Sequence, residues 1–321
     1  MQPTHDDEPP AAIPGAVREA IATLRHDPVR PHPRIDRVQR AAERWAAGFG
    51  LSERPGDFAR TRSGWCAAYT YPYADPVLLE IAAELIGWLF LYDDRYGEGL
   101  DARVMMDTSD RFLGVVRTGT VPAPAGPFEL ALADLRHRIR DLTDDAFLER
   151  FAHSMSKYHN GWLFELPFRL AGRPPDRTAY RRLRPWSIGQ HTVFDLIEIS
   201  AGPPPAAARE RLEPLRDLTG FVCAQVNDLH SYAKETRGGD PINIVTVLAA
   251  ERGRGLADAA RAAVREYHHH LGLLEQGCAA LCAEPDATRE EVLLTRGLRA
   301  WAHGNTAWSG TCARYHAAPP P

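Results

Sequence analysis

Apolar residues recur every three to four positions along almost the whole of this chain, in Ala-, Leu-, Arg- and Glu-rich segments set apart by proline-rich turns. That period is the turn of an α-helix with one face buried. The turns are VRPHP (29–33), VPAPAGP (121–127), RPPD (173–176) and GPPP (202–205). Between them the spacing predicts helices over residues 37–49, 76–92, 145–166, 212–234, 256–283 and 289–315. Runs of alternating β-branched residues with hairpin chemistry are almost missing, and the short candidate 242–247 sits between helical segments, where it reads as a helix start. The expectation is an all-α chain, one compact bundle with a ligand site in its core between helices.

At 321 residues the chain is long enough to bury a full core. Proline-rich, polar tips mark expected disordered tails at 1–15 and 316–321, leaving one α-helical domain over 16–315. Lys and Arg number 38 against 42 Asp and Glu, a net charge of −4, so no basic field attracts nucleic acid or an anionic membrane. Cys66, Cys223, Cys278, Cys282 and Cys312 are odd in number, scattered and without a C-x-x-C pair, as expected for a reducing, cytoplasmic setting. The most apolar stretch, 77–92, carries Glu80 and Glu84 and is too short to span a bilayer. The start MQPTHDDEPP is acidic where a signal peptide is basic, so neither export nor a membrane anchor is expected.

Two acidic constellations follow apolar helical runs. The first is Asp93-Asp94-Arg95-Tyr96-Gly97-Glu98, directly after Leu89-Phe90-Leu91-Tyr92. On an α-helix Asp94 and Glu98 share a face, while Asp93 and Glu98 lie about 140° apart. The second is Asn227-Asp228-Leu229-His230-Ser231-Tyr232-Ala233-Lys234-Glu235, after the apolar run 218–226. Asn227, Ser231 and Glu235 are spaced four and four, which lines up three oxygen-bearing side chains on one stripe. Lys234 returns to the same face seven residues after Asn227. Alone, that stripe reads equally as a solvated polar face or as a site for a hard, oxygen-seeking cation. Paired with the first motif, it outlines a metal-diphosphate clamp between two carboxylate-bearing helices.

From about Trp45 to Tyr315 the chain resembles the bacterial class I terpene synthases, or terpene cyclases. Residues 93–98 resemble that family's aspartate-rich motif, with Gly97 where D-D-x-x-D has its final Asp and Glu98 one residue late. Asn227, Ser231 and Glu235 match its N-D-x-x-S-x-x-x-E metal triad, with Lys234 in its customary place. Trp301, Gly304 and Trp308, followed by Arg314-Tyr315, resemble the terminal signature. YRRLRPWSIG (180–189) resembles the diphosphate-sensing stretch, although Pro185 stands where a second Arg is usual.

The resemblance implies a single-domain class I terpenoid synthase bundle with a central active-site cavity. Three Mg²⁺ ions, or Mn²⁺ in their place, would be held by Asp93, Asp94 and Glu98 on one side and by Asn227, Ser231 and Glu235 on the other. Arg184, with Arg181 as the fallback, Lys234, Arg314 and Tyr315 would bind the diphosphate. Ionisation leaves an allylic carbocation that water quenches, so the cavity must be apolar, and aromatic faces can steady the charge. Phe90, Trp301 and Trp308 are the candidates, with Ser187 and Ile188 at the helix break. Trp45, Trp65, Trp88 and Trp162 read as core packing.

Farnesyl diphosphate (C15) is the expected substrate, cyclised to a hydrocarbon or alcohol. Similarity to the 2-methylisoborneol synthase branch keeps a methylated C11 diphosphate open, along with the C10 and C20 substrates. A chain-elongating prenyltransferase would carry two D-D-x-x-D motifs, and a non-enzymatic helical interaction protein would need none of the four motifs. The expected partner is a prenyl diphosphate, with no nucleic acid or membrane and with a homodimer left open. His268-His269-His270 points three ways around a helix and reads as a solvated face. Cys278 and Cys282 read as packing residues.

Overall fold

A computed structural model describes residues 12–52, 56–97, 99–253 and 255–312. Among these the chain forms fourteen α-helices and one π-helical turn, with no strand. In order they are α1 (Gly15–Ile21), α2 (Ile35–Phe49), α3 (Asp57–Thr61), α4 (Ser63–Thr70), α5 (Pro76–Tyr92), the π turn (Asp93–Gly97), α6 (Ala102–Thr118) and α7 (Pro127–Arg140). Then come α8 (Asp145–Ala171), α9 (Arg177–Ser187), α10 (Gln190–Ala201), α11 (Ala206–Gly238), α12 (Ile244–Arg252), α13 (Leu256–Ala283) and α14 (Arg289–Ser309). Glu98, Arg314, Tyr315 and the segments 1–11 and 316–321 lie outside the described residues.

Helix starts follow capping chemistry. Asp75, Asp101, Asp144, Asp176, Asn243 and Thr288 each accept a backbone N–H of the first turn through the side chain, which satisfies donors that have no intrahelical partner. Thr288 and Glu291 complete a capping box. Asn243 explains the β-branched stretch at 242–247, since it caps α12 and turns Ile244 and Val245 into a helix. The expected bounds 76–92 and 256–283 are those observed. α8 runs past 166 to Ala171 and α11 widens to Ala206–Gly238, whereas α14 stops at Ser309, short of the expected 315.

α5 is the axis of the bundle. It is buried almost all round, through Leu78, Leu79, Ile81, Ala82, Leu85, Ile86 and Trp88. α2, α4, α7 and α10 pack on it, while α8, α11 and α14 complete the main core. A smaller core joins α1, α12 and α13 to Tyr180, Phe221 and Leu229. Glu84, deep in α5, is paired with Arg138, yet burial pushes its carboxyl up to about 7. No described helix is long and apolar enough to cross a membrane.

Two expectations about packing are corrected. Of the histidine run only His269 faces solvent, because His268 accepts the backbone N–H of Arg25 and His270 is buried against Arg181. Cys278 is a packing residue as expected, while Cys282 on the next turn is exposed.

Candidate active site

The C-terminal end of α5, the α9–α10 break, the last third of α11 and the last turns of α14 surround one open-mouthed cavity. Its wall contains Phe90, Asp93, Arg184, Ile188, Asn227, Ser231, Lys234, Glu235, Trp301 and Trp308. Motifs that lie over two hundred residues apart in the chain are therefore brought to one hollow.

α5 gives way to the π turn at Asp93, so the 100° arithmetic of an α-helix does not hold over 93–97. Three contacts fix this wider turn. Tyr158 donates to Asp93 Oδ1 at 2.7 Å, and Arg169 Nη1 donates to the Gly97 carbonyl at 3.0 Å. The third is steric: a Cβ on Gly97 would stand 2.5 Å from Asp93 Oδ1 and 3.1 Å from the Trp162 ring. Glycine at the place of the motif's usual final Asp thus leaves room for the Asp93 carboxylate to fold back. Asp94 is at the mouth rather than on the cavity wall, where Lys234 Nζ donates to its Oδ1 at 2.8 Å. That ion pair reaches from α11 to the π turn, so the two acidic walls face each other.

On α11, Ser231 Oγ lies 2.7 Å from Glu235 Oε1 and 2.8 Å from the backbone carbonyl of Asn227, and all three residues line the cavity. Asn243 Nδ2 donates to Glu235 Oε2 at 2.7 Å and fixes that carboxylate from the start of α12. Burial, followed by the nearby Asp228 carboxylate, pushes the Glu235 carboxyl up.

Arg184 lies in the last turn of α9, shortly before Gly189 breaks the chain with φ 72°. Its Nη2 donates to Asn227 Oδ1 at 2.9 Å and to Asp228 Oδ1 at 2.7 Å, and its Nε to Asp228 Oδ1 at 2.9 Å. Arg181 turns away, onto His270 and the Phe221 ring, so of the two arginines Arg184 meets the cavity. Below the acidic rim the walls are apolar and aromatic. Phe90 and Trp308 stack with ring centres 5.7 Å apart, and Trp301 meets Tyr71 and Phe194 edge-on at 5.4 and 5.5 Å.

Sequence reasoning missed a second layer. Asp228, fully buried beside Asn227, also accepts the Tyr180 hydroxyl at 2.5 Å and the Ile244 N–H at 2.7 Å. Tyr158, Trp162, Glu165 and Arg169 line the cavity from α8, and their 4, 3, 4 spacing was the only signal for them. Trp162 is thus part of the site as well as of the core, contrary to expectation. Arg169 ties Glu165 (3.0 Å) to Asp240 (3.1 Å), and Glu165 accepts from Ser187 at the helix break. Among the described residues, the trio His191, Glu213 and Asp217 also clusters its ligand atoms, outside this cavity, and its carboxylates are engaged by Lys157, Arg216 and His191 itself.

An all-α bundle whose apolar hollow is rimmed by opposed oxygen stripes and a buried arginine defines a diphosphate-handling enzyme of the class I terpenoid synthase fold. Residues 84–271 match the family model described as terpene synthase family 2, C-terminal metal binding. The (+)-T-muurolol synthase of Roseiflexus castenholzii, named as farnesyl diphosphate cyclizing, is 31% identical over 293 residues, covering 88% of this chain and 90% of the relative. The pristinol synthase of Streptomyces pristinaespiralis is 28% identical, covering 90% and 82%. The crystal structure of an ancestrally reconstructed protein, SVS_A2, matches in fold with a TM-score of 0.81 at 23% identity, covering 98% of this chain and 93% of that one. The chain belongs to the bacterial class I terpene synthase family. It is a terpene cyclase that uses divalent metal.

Proposed function

We infer that this protein ionises farnesyl diphosphate with three Mg²⁺ ions and cyclises the resulting cation, releasing diphosphate. The observation that carries this reading is the Lys234–Asp94 pair, which sets the Asp93-Asp94 turn directly across the mouth from the Asn227, Ser231 and Glu235 stripe. The donor set fits Mg²⁺, since every candidate ligand atom is a carboxylate, amide or hydroxyl oxygen. Asp93, Asp94 and Glu98 would hold metal from one side of the mouth and Asn227, Ser231 and Glu235 from the other. Bound Mg²⁺ supplies Lewis-acid neutralisation of the departing diphosphate without a proton transfer.

The chain's own residues do the rest. Arg184, held by Asp228, keeps a fixed positive charge beside Asn227, and Lys234, Arg314 and Tyr315 complete the grip on the diphosphate. Tyr158 fixes the Asp93 carboxylate before substrate arrives, so little reorganisation is left for the ionisation step. Phe90, Trp301 and Trp308 present ring faces and edges to the cation while Ile86, Leu89 and Val193 shield it from bulk water. Support for a C15 substrate comes from the farnesyl diphosphate cyclizing relative, which this chain matches over most of both lengths. The reading carries a cytoplasmic setting, argued from five free cysteines, admits Mn²⁺ as a substitute ion and leaves room for a homodimer.

Its test is gas chromatography of the products formed from the C10, methylated C11, C15 and C20 diphosphates in parallel. Fastest conversion of the C15 substrate to a cyclic product is expected. Preference for another chain length would overturn the substrate, and no product from any of the four would overturn the function.

A further inference from the structure

One polar group in the apolar part of the cavity has no place in the ionisation chemistry above. Asn305 lies one turn after Trp301 and three residues before Trp308, so all three share the face of α14 that lines the hollow. The neighbouring Gly304 fixes this orientation, because its backbone packs so closely on α4 that a Cβ would stand 2.3 Å from the Tyr69 carbonyl oxygen. Asn305 is 5% exposed, and its Nδ2 has no hydrogen-bond partner among the described residues. Leaving a buried amide donor unsatisfied costs the full desolvation of that group. A group kept under that penalty inside a ligand cavity calls for a ligand atom that accepts its hydrogen bond.

The prenyl chain offers no acceptor there, since its oxygens are at the diphosphate end under the acidic rim. A water molecule does, provided it finds two to four polar partners. Gln190, at the start of α10, lines the same cavity, and its Oε1 is likewise buried without a partner among the described residues.

We propose that Asn305 holds a water molecule in the aromatic part of the cavity and so determines the outcome of cyclisation, making the principal product a terpene alcohol. The proposal rests on the cyclase reading and deepens it. In the quenching step a lone pair of the water oxygen forms a C–O bond to the cationic carbon, and the oxonium so formed loses one proton to the diphosphate released by ionisation. No oxidant or reductant is needed. Without the amide donor the water is lost, and the cation ends by giving up a proton from carbon instead, which yields a hydrocarbon. Asn305 is in this sense a specificity-determining residue.

The test is product analysis by gas chromatography and mass spectrometry in H₂¹⁸O, with Mg²⁺ and farnesyl diphosphate, for the unaltered protein, Asn305→Leu and Asn305→Ala. The unaltered protein should give mainly an alcohol carrying ¹⁸O, and in both variants the ratio of alcohol to hydrocarbon should fall at least tenfold among whatever products form. An unaltered protein that makes only hydrocarbon, or a ratio unchanged in either folded variant, would overturn the proposal. Should neither variant fold, the product class and ¹⁸O content of the unaltered protein decide the matter. An unaltered protein that turns over no prenyl diphosphate would instead overturn the cyclase reading beneath.

Discussion

Asp228→Asn isolates the part played by the buried partner of Arg184. Asp228 is fully buried and takes four hydrogen bonds, two from Arg184, one from Tyr180 and one from the Ile244 N–H. The amide is neutral, and one of its two ends can no longer accept, so the substitution strands the guanidinium charge and leaves a donor unpaired. Removing one partner of a buried ion pair costs about 3–5 kcal/mol, far more than an exposed pair is worth. With an unfolding entropy of about 2.1 cal/mol/K per residue, a chain of this length should lose about 4–8 °C in Tm. Circular dichroism at 222 nm during a thermal ramp measures this, while diphosphate release reports activity, expected to fall below detection as Arg184 leaves Asn227. Arg184→Met in the Asp228→Asn background removes the stranded charge and should recover part of the lost Tm without restoring turnover. A Tm for Asp228→Asn within 1 °C of the unaltered protein, or a double variant less stable than the single one, would refute this reasoning.

Two further perturbations test the packing. Gly304→Ala drives its Cβ into the Tyr69 carbonyl, and because backbone cannot swing aside it should cost about 1–3 kcal/mol, whereas Gly272→Ala on α13, where no atom lies within 4 Å of the new Cβ, should gain about 1 kcal/mol of helix propensity. Equal urea midpoints for the two variants would contradict the close approach of α14 to α4. His159 is buried between Tyr92 and Ser109, and burial holds its ring down to about 3. The unfolded chain, with a histidine near 6.5, binds a proton there that the native state refuses, so this contribution is whole above that value and is lost as pH falls from about 6.5 toward 3. His159→Gln should therefore shrink the difference in urea midpoint between pH 7.5 and pH 5, and an undiminished difference would contradict the assignment.

What could be read from the chain before folding was set by local forces. The helix over Pro76–Tyr92 was legible because Asp75 caps it, Pro76 suits its first turn and its apolar run ends at paired carboxylates. Asn227, Ser231 and Glu235 were legible because a four-residue step on a helix fixes a shared face whatever lies opposite. The π turn was not, since it depends on Arg169 and Tyr158 from α8, about sixty to seventy residues away. Asp228 stood in plain view beside Asn227, yet its work as the anchor of Arg184 exists only once α9 packs on α11. His270 and Trp162 departed from their expected roles for the same reason, because which face of a helix meets solvent, core or cavity is decided by the neighbours packed against it.

The central claim is that oxygen ligands on opposite walls of this bundle hold divalent metal against a prenyl diphosphate. It is tested most directly by headspace gas chromatography of purified protein with farnesyl diphosphate, with Mg²⁺ or with excess chelator, for the unaltered chain, Asn227→Ala and Glu235→Ala. A cyclic product should form only in the unaltered chain with Mg²⁺, while all three proteins keep the same helical circular dichroism. Product formed at the same rate under chelation, or by either correctly folded variant, would contradict the account.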